Sequence, residues 1–289
     1  MNQKCVGALF KLGHPIREVD LRQKAVEHLT QRPCQTAQMS GCSNSGADPA
    51  TEVMPGAPAV SALGRLEDHV LPAWLRPTVG ENRIPVALAI LAAAGLQLLL
   101  SRQFTLIHPR WLMPSLEIAL LITLTVLNPL RLTRYTPVGK YLSLLLVVLI
   151  SLDNGLSAVL LDSKLIQGTA GNQAGPLLTS AAAIYLTNVI AFGIWYWELD
   201  RGGPFARAAA NSPYPDFLFP QMTQHHLAPE HWEPRFGDYL YVSFTNATAF
   251  SPTDTMPLTR WAKSLMAGQS AIALSTTALV IARAVNILK

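Results

Sequence analysis

From Ile84 onward, apolar residues gather into long runs separated by polar links, and this pattern dominates the chain. The runs are Ile84 to Leu100, Trp111 to Leu130, Tyr141 to Leu161, Leu177 to Leu199, Gly237 to Phe250 and Trp261 to Leu288. Crossing the hydrocarbon core takes about twenty residues, so the first run is slightly short and the fifth clearly so. The pattern predicts an all-α fold, a polytopic transmembrane helical bundle of about six membrane segments. The fifth segment is short or broken at Pro252 and Pro257, since proline interrupts a helix interior. Residues 84–289 form this transmembrane domain, with a long 200–236 loop before the fifth segment.

The first 83 residues differ in composition. From Pro33 to Pro58 the chain is rich in Ser, Gly, Ala, Pro and Thr, which predicts a mostly disordered cytoplasmic region. Met39 and Met54 are plausible alternative starts. Leu63 to Leu75 is mildly amphipathic and suits the membrane surface before the first crossing.

Composition agrees with the membrane reading. Half the chain (50%) is hydrophobic and only 14% is charged, against about 25% in an average soluble domain. The three cysteines, Cys5, Cys34 and Cys42, form no disulfide framework. With six crossings, one side receives Arg76, Arg83, Arg131, Arg134, Lys140, Arg201, Arg207, Arg235 and Lys289, and the other receives Arg102, Arg110, Lys164, Arg260 and Lys263. The positive-inside rule then favours both termini in the cytoplasm.

Charges at bilayer depth are costly and each needs a reason. Glu117 in the second run and Asp153 in the third both lie about 9–12 Å from the same face. They form a candidate carboxylate pair that binds a cation or relays a proton. The competing reading is a partly wet acid beside one buried and hydrogen-bonded acid. Gln97, Asn128, Asn188, Asn246 and Gln269 place one amide in each of five runs, which helix-to-helix hydrogen bonds explain. In the 200–236 loop, His225, His226, Glu230 and His231 are candidate metal ligands, but their spacing matches no zincin and Pro229 breaks the helical face. A solvated loop explains them better. No nucleophile elbow, Walker loop, dinucleotide fingerprint or zincin motif is present, so the expectation is a non-enzyme with no cofactor. Basic and aromatic residues do not interleave as a nucleic-acid surface requires.

The stretch Tyr241-x-Ser243-x-Thr245, then Thr248, then Asp254 and Pro257 before a long helix, resembles the pore loop of tetrameric cation channels. The resemblance covers Asp238 to Leu288. It implies a short helix that enters partway, an extended return and a final pore-lining helix. The potassium filter TVGYG is absent: Ala249-Phe250-Ser251-Pro252 holds no glycine, so potassium selectivity is not implied. A loop of that kind also needs the preceding link outside, whereas Arg201, Arg207 and Arg235 favour inside. The expectation is therefore a short crossing rather than a returning loop. Ser251-Pro252-Thr253-Asp254 and Thr255-Met256-Pro257 read as two successive helix-start signals.

Across Ile84 to Lys289 the chain also resembles uncharacterised bacterial multi-pass inner-membrane proteins, through "SFTNATAFSPTDTMPLTRWAK" and "RAVNIL". That resemblance implies a bacterial inner membrane and no established activity. The functional expectation is a channel-like or permeation protein for small ions, assembled as a homo-oligomer in the lipid bilayer. Its pathway would be lined by Thr245, Asn246, Thr248, Ser251, Thr253 and Asp254, because irregular polar backbone at membrane depth must be buried or line water. The alternative is a non-transporting scaffold or accessory subunit that binds a soluble partner through the 200–236 loop.

Overall fold

The computed structural model describes residues 73–78, 80–127, 137–170, 173–224, 228–229, 231–249 and 254–287, all within the unit Pro55–Lys289. The disorder expected from Pro33 to Pro58 and the amphipathic stretch from Leu63 fall largely outside these residues. The apolar runs form helices α1 (Ile84–Leu99), α2 (Leu112–Leu127), α3 (Pro137–Ile166) and α4 (Ala174–Leu199). The 200–236 link adds the short helices α5 (Pro204–Ala208) and α6 (Pro220–Thr223), and the last two runs form α7 (Phe236–Ala249) and α8 (Arg260–Ile287). Helices α3, α4 and α8 are long and apolar enough to cross a membrane. Helices α1 and α2 are apolar over 16 residues each, about 24 Å of helix.

Helix α4 is the hub. It packs against α1, α3, α7 and α8, while α2 closes the outside between α1 and α3. Its sequence suits that place: Ala181, Ala183, Ala191 and Gly193 are buried, so neighbours approach its backbone closely. Its hydrophobic window is 61% buried, against 39% for α3 and 28% for α8. The outer helices instead leave Leu88, Leu98, Ile122, Val126, Leu152, Val159 and Ile281 exposed, as lipid-facing positions require.

Cross-contacts fix the direction of each helix. At one end, the Arg83 Nη1 donates to the Leu124 carbonyl (3.1 Å) and the Lys140 Nζ to the Gly202 carbonyl (3.4 Å). The start of α1, the end of α2, the start of α3 and the end of α4 therefore share this end. At the other, the Ser101 N–H donates to Ser180 Oγ (3.1 Å), and Phe104, Leu161, Leu165, Leu177 and Val280 share one cluster. Helix α8 accordingly begins beside the end of α4 and finishes beside its start.

Helix α7 departs from the expected crossing. Its first turn lies at the end of α4, where Phe236 stacks edge-on against Trp197 (6.1 Å). The chain is back at that same end by Phe217↔Pro257 and Leu218↔Met256, a two-residue antiparallel pairing of β1 (Phe217–Leu218) with β2 (Met256–Pro257). Phe217 also touches Tyr239 of α7 (6.3 Å) and Trp261 of α8 (5.8 Å), so both helices start side by side. The segment enters and leaves on one side of the bundle. The physical reason is length: α7 has 14 residues, about 21 Å, short of the roughly 30 Å core. The seven Cα steps from Ala249 to Met256 can reach about 25 Å back.

Two further expectations change with it. Neither helix-start signal begins the last helix: Met256 and Pro257 are extended, the Leu258 N–H donates to the Asp216 carbonyl (2.8 Å), and α8 begins at Arg260. Helix α8 also ends opposite the start of α1, where six crossings would have placed both on one side.

Helices α4 and α7 approach each other closely at Gly193. A Cβ there would meet the Leu240 Cα and Cδ1 at 3.1 Å. The variant Gly193→Ala should push α7 outward and lower stability by about 1–3 kcal/mol, the usual cost of overpacking, measured by thermal unfolding in detergent.

Candidate functional site

Three polar assemblies stand out in this apolar bundle. The first joins α4, α7 and α8. The Tyr196 hydroxyl donates to Gln269 Oε1 (2.6 Å), and Asn246 Nδ2 donates to the same oxygen (2.8 Å) and to the Met266 carbonyl (3.0 Å). Gln269 Nε2 in turn donates to Ser243 Oγ (2.7 Å) and to the Ser243 carbonyl (3.0 Å), while the Ser243 hydroxyl donates to the Val189 carbonyl (2.6 Å). All are buried. A short helix that dips into the bundle must satisfy its polar side chains there, and these bonds do so.

The second assembly holds the sequence-selected acids. Glu117 is fully buried on α2 and accepts from Gln97 Nε2 of α1 (2.9 Å). Asp153 of α3 lies close enough for the two carboxyl groups to interact electrostatically. Glu117 Oε2 and Gln97 Oε1 have no hydrogen-bond partner. Uncommitted oxygen acceptors at this depth can take a proton or a hard cation.

The third assembly is a cap over the end of α4, built by the 200–236 link. Gly203 (φ 101°) turns the chain where a Cβ would strike the Glu198 carbonyl oxygen at 2.8 Å, so glycine is required. Asp200 is fully buried: one oxygen accepts from the Asp216 and Phe217 N–H groups (2.9 and 3.3 Å), the other from the Tyr239 hydroxyl (2.6 Å). Arg201 sits in the left-handed region (φ 54°), held there by its side chain, whose Nε donates to the Ser212 carbonyl (2.9 Å) and Nη1 to the Trp74 carbonyl (2.6 Å). Arg207 Nη1 donates to the carbonyls of Trp197 (2.5 Å) and Asp200 (3.0 Å), and its guanidinium lies over the Trp197 and Tyr239 rings. Glu81, just before α1, accepts from the Trp197 indole and from the Phe236 N–H, one to each oxygen at 2.6 Å. Asp216 accepts from the Arg201 N–H (2.8 Å) and the Trp261 indole (3.0 Å). The cap thus ties together the starts of α1, α7 and α8 and the end of α4.

The expected pathway residues do not share one lining. Asn246 is committed to the α8 network, and the Thr245 hydroxyl donates to the Tyr241 and Val242 carbonyls (3.0 Å each). Thr248 and Asp254 are exposed. Ser251 and Thr253 lie outside the described residues, as do His225, His226 and Glu230. His231 is exposed, and among the described residues no group of His, Cys, Asp or Glu is placed to hold a metal. Sequence reading missed Asp200, Arg201, Arg207, Glu81 and Tyr239 as a cluster. The one local signal was Glu198-Leu-Asp-Arg-Gly-Gly, charges placed directly against the aromatic end of α4.

Compared with known protein families, curated proteins and solved structures, the chain matches none at a significant level.

Removing the Asp200 carboxylate leaves the Asp216 and Phe217 N–H groups and the Tyr239 hydroxyl without their acceptor and takes one carboxylate from beside Arg207. Asp200→Ala should cost about 3–5 kcal/mol, and limited proteolysis should show faster cleavage within residues 204–235. Burial raises the Glu81 carboxyl above its ordinary value, against the opposing pull of the Phe236 N–H, the Trp197 indole and the Arg207 charge. The folded state therefore keeps this proton to higher pH than the unfolded chain. The resulting stabilisation is complete below the unfolded value and is lost as pH rises through the folded one. Glu81→Gln should flatten that part of the stability-versus-pH curve and, with one acceptor oxygen for two donors, cost about 1 kcal/mol. Thermal midpoints across pH check both.

Proposed function

We propose that this membrane protein is a permeation protein for small cations, working through the segment 236–257. The observation that carries the reading is that this segment dips into the bundle and returns on the side it entered. Polar chain is held at membrane depth only where it is buried by protein or lines water. Here Ser243 and Asn246 anchor the dip to α4 and α8, while Thr248 and Asp254 stay exposed. The resemblance to a pore loop agrees with the entry and return, though here the preceding link is proposed on the cytoplasmic side, and the expected assembly remains a homo-oligomer. Glu117 and Asp153 are a second place where a cation or proton could bind.

The orientation follows from charge. The returning segment puts Arg260 and Lys263 on the capped side with Arg76, Arg83, Lys140, Arg201, Arg207 and Arg235, leaving Arg102, Arg110, Lys164 and Arg283 on the other among the described residues. By the positive-inside rule the cap faces the cytoplasm, and a bacterial inner membrane is the proposed location. The scaffold alternative draws on the exposed Tyr214 of the cap (82% exposed). Phe217, Phe219 and Met222 of the same link are buried, which leaves little of it for a partner.

The test is cation and proton flux into proteoliposomes under imposed gradients. Wild-type protein should conduct, Asp254→Ala should abolish most of the flux, and Glu117→Gln in the same assay reports whether the acid pair contributes. Absence of flux under every gradient overturns the proposal.

A further inference from the structure

Helix α2 buries Pro114, Glu117 and Leu124, so an acid sits in the middle of its packing stripe. The helices it packs against are α1 and α3. Helix α1 carries no charged or titratable side chain along its length. On α3 the group that interacts with Glu117 is Asp153, a second acid. The other titratable groups of α3 are Lys140, Tyr141, Asp162 and Lys164. The nearest of them in the chain, Asp162, is about 13 Å from Asp153 along the helix. Arg83 ties the start of α1 to the Leu124 carbonyl, about 20 Å along α1 from Gln97. A carboxylate at Glu117 would thus face another acid, with no cation beside it among the described residues.

One hydrogen bond joins Glu117 to α1: Gln97 Nε2 donates to Glu117 Oε1 (2.9 Å). Each side chain is a planar fork with a second arm, Oε1 on Gln97 and Oε2 on Glu117. Both of these oxygens are buried and without a partner. Gln97 is 4% exposed and Glu117 0%, so bulk solvent reaches neither. Two unpaired acceptors flanking one bond lack a single donor. A hydrogen on Glu117 Oε2 supplies it, because a neutral carboxyl donates through its O–H while its other oxygen still accepts. The amide and the acid then close a ring of two hydrogen bonds. One proton removes an uncompensated charge at bilayer depth and satisfies two orphan acceptors. A hard metal ion would need about six oxygen ligands, and among the described residues no group of three His, Cys, Asp or Glu gathers to hold one.

We propose that Glu117 is a proton-binding site, with the proton held on Oε2 and donated to Gln97 Oε1, so that the pair clamps α2 to α1. Binding forms one O–H bond at Oε2 with a proton taken from the aqueous phase, and cancels one carboxylate charge. Release returns the proton to water, restores the charge beside Asp153 and leaves Gln97 Oε1 without a donor. Proton occupancy therefore sets how firmly the outer helix α2 is seated. The inference rests on the reading of Glu117 as a place for a cation or a proton, and not on conduction through 236–257.

Infrared spectroscopy of the full chain in liposomes at neutral pH tests it. The difference spectrum of wild type minus Glu117→Gln should contain the carbonyl band of a protonated carboxyl, shifted on exchange into heavy water. The band should persist in Asp153→Asn and rise in frequency in Gln97→Leu, which removes both hydrogen bonds of the ring. Should Glu117→Gln not fold, the rise in Gln97→Leu assigns the band to Glu117. The proposal is overturned by the absence of such a band, by its loss in Asp153→Asn, or by its staying unshifted in Gln97→Leu. Thermal stabilisation by sodium or potassium over choline that disappears in Glu117→Gln would also overturn it, in favour of a metal cation. None of these readouts uses flux, so the proton site and permeation stand or fall separately.

Discussion

A carboxylate at the end of the central helix governs this structure. Asp200 lies where the partial negative charge of α4 already accumulates, an unfavourable place for an acid. It is tolerated because two backbone N–H groups, a tyrosine hydroxyl and a neighbouring guanidinium converge on it. Those partners arrive from three different segments, so satisfying one buried charge brings the 216–217 chain, α7 and α5 to one place. The pairing of β1 with β2 follows from the same anchor, and with it the point at which α8 begins.

A second constraint operates deeper in the bundle. A 14-residue helix cannot cross the bilayer, yet its side chains include Ser243, Thr245 and Asn246. Threonine satisfies itself on its own helix, through carbonyls three and four residues back. Ser243 and Asn246 bond across to other helices instead, and Gln269 on α8 serves both. The result is that α7 is held by direction-specific bonds on one face and by a glycine contact at Gly193 on another. Small residues and hydrogen bonds, rather than apolar burial, hold helices together where the solvent is itself apolar.

The helices were legible in the sequence because apolar run length reports them directly. The boundaries of α1, α4, α7 and α8 fall within a few residues of the runs at Ile84, Leu177, Gly237 and Trp261. Glu117 stood out as an acid in an apolar run, and the amides Gln97, Asn246 and Gln269 were readable as helix-to-helix bonds. The returning course of α7 was not legible, since loop charge reports sidedness only once the number of crossings is known. The cap was not legible either. Arg201 looks like an ordinary loop cation until it meets Trp74, 127 positions away, and Glu81 gains its meaning from Phe236, 155 positions away. Pairings at such separations leave no periodic trace in a single sequence.

Those separations bear on how the protein is made. Synthesis delivers α4 with Asp200 and Arg201 at its end well before Phe236, Tyr239 or Trp261 exist. During that interval Asp200 lacks the Tyr239 hydroxyl that donates to it in the finished fold. The short α7 cannot be set in place as a crossing; it acquires its seat once α8 supplies Gln269. The last helix to emerge is thus the one that completes the site of the helix before it, through the bonds of Gln269 to Ser243 and Asn246.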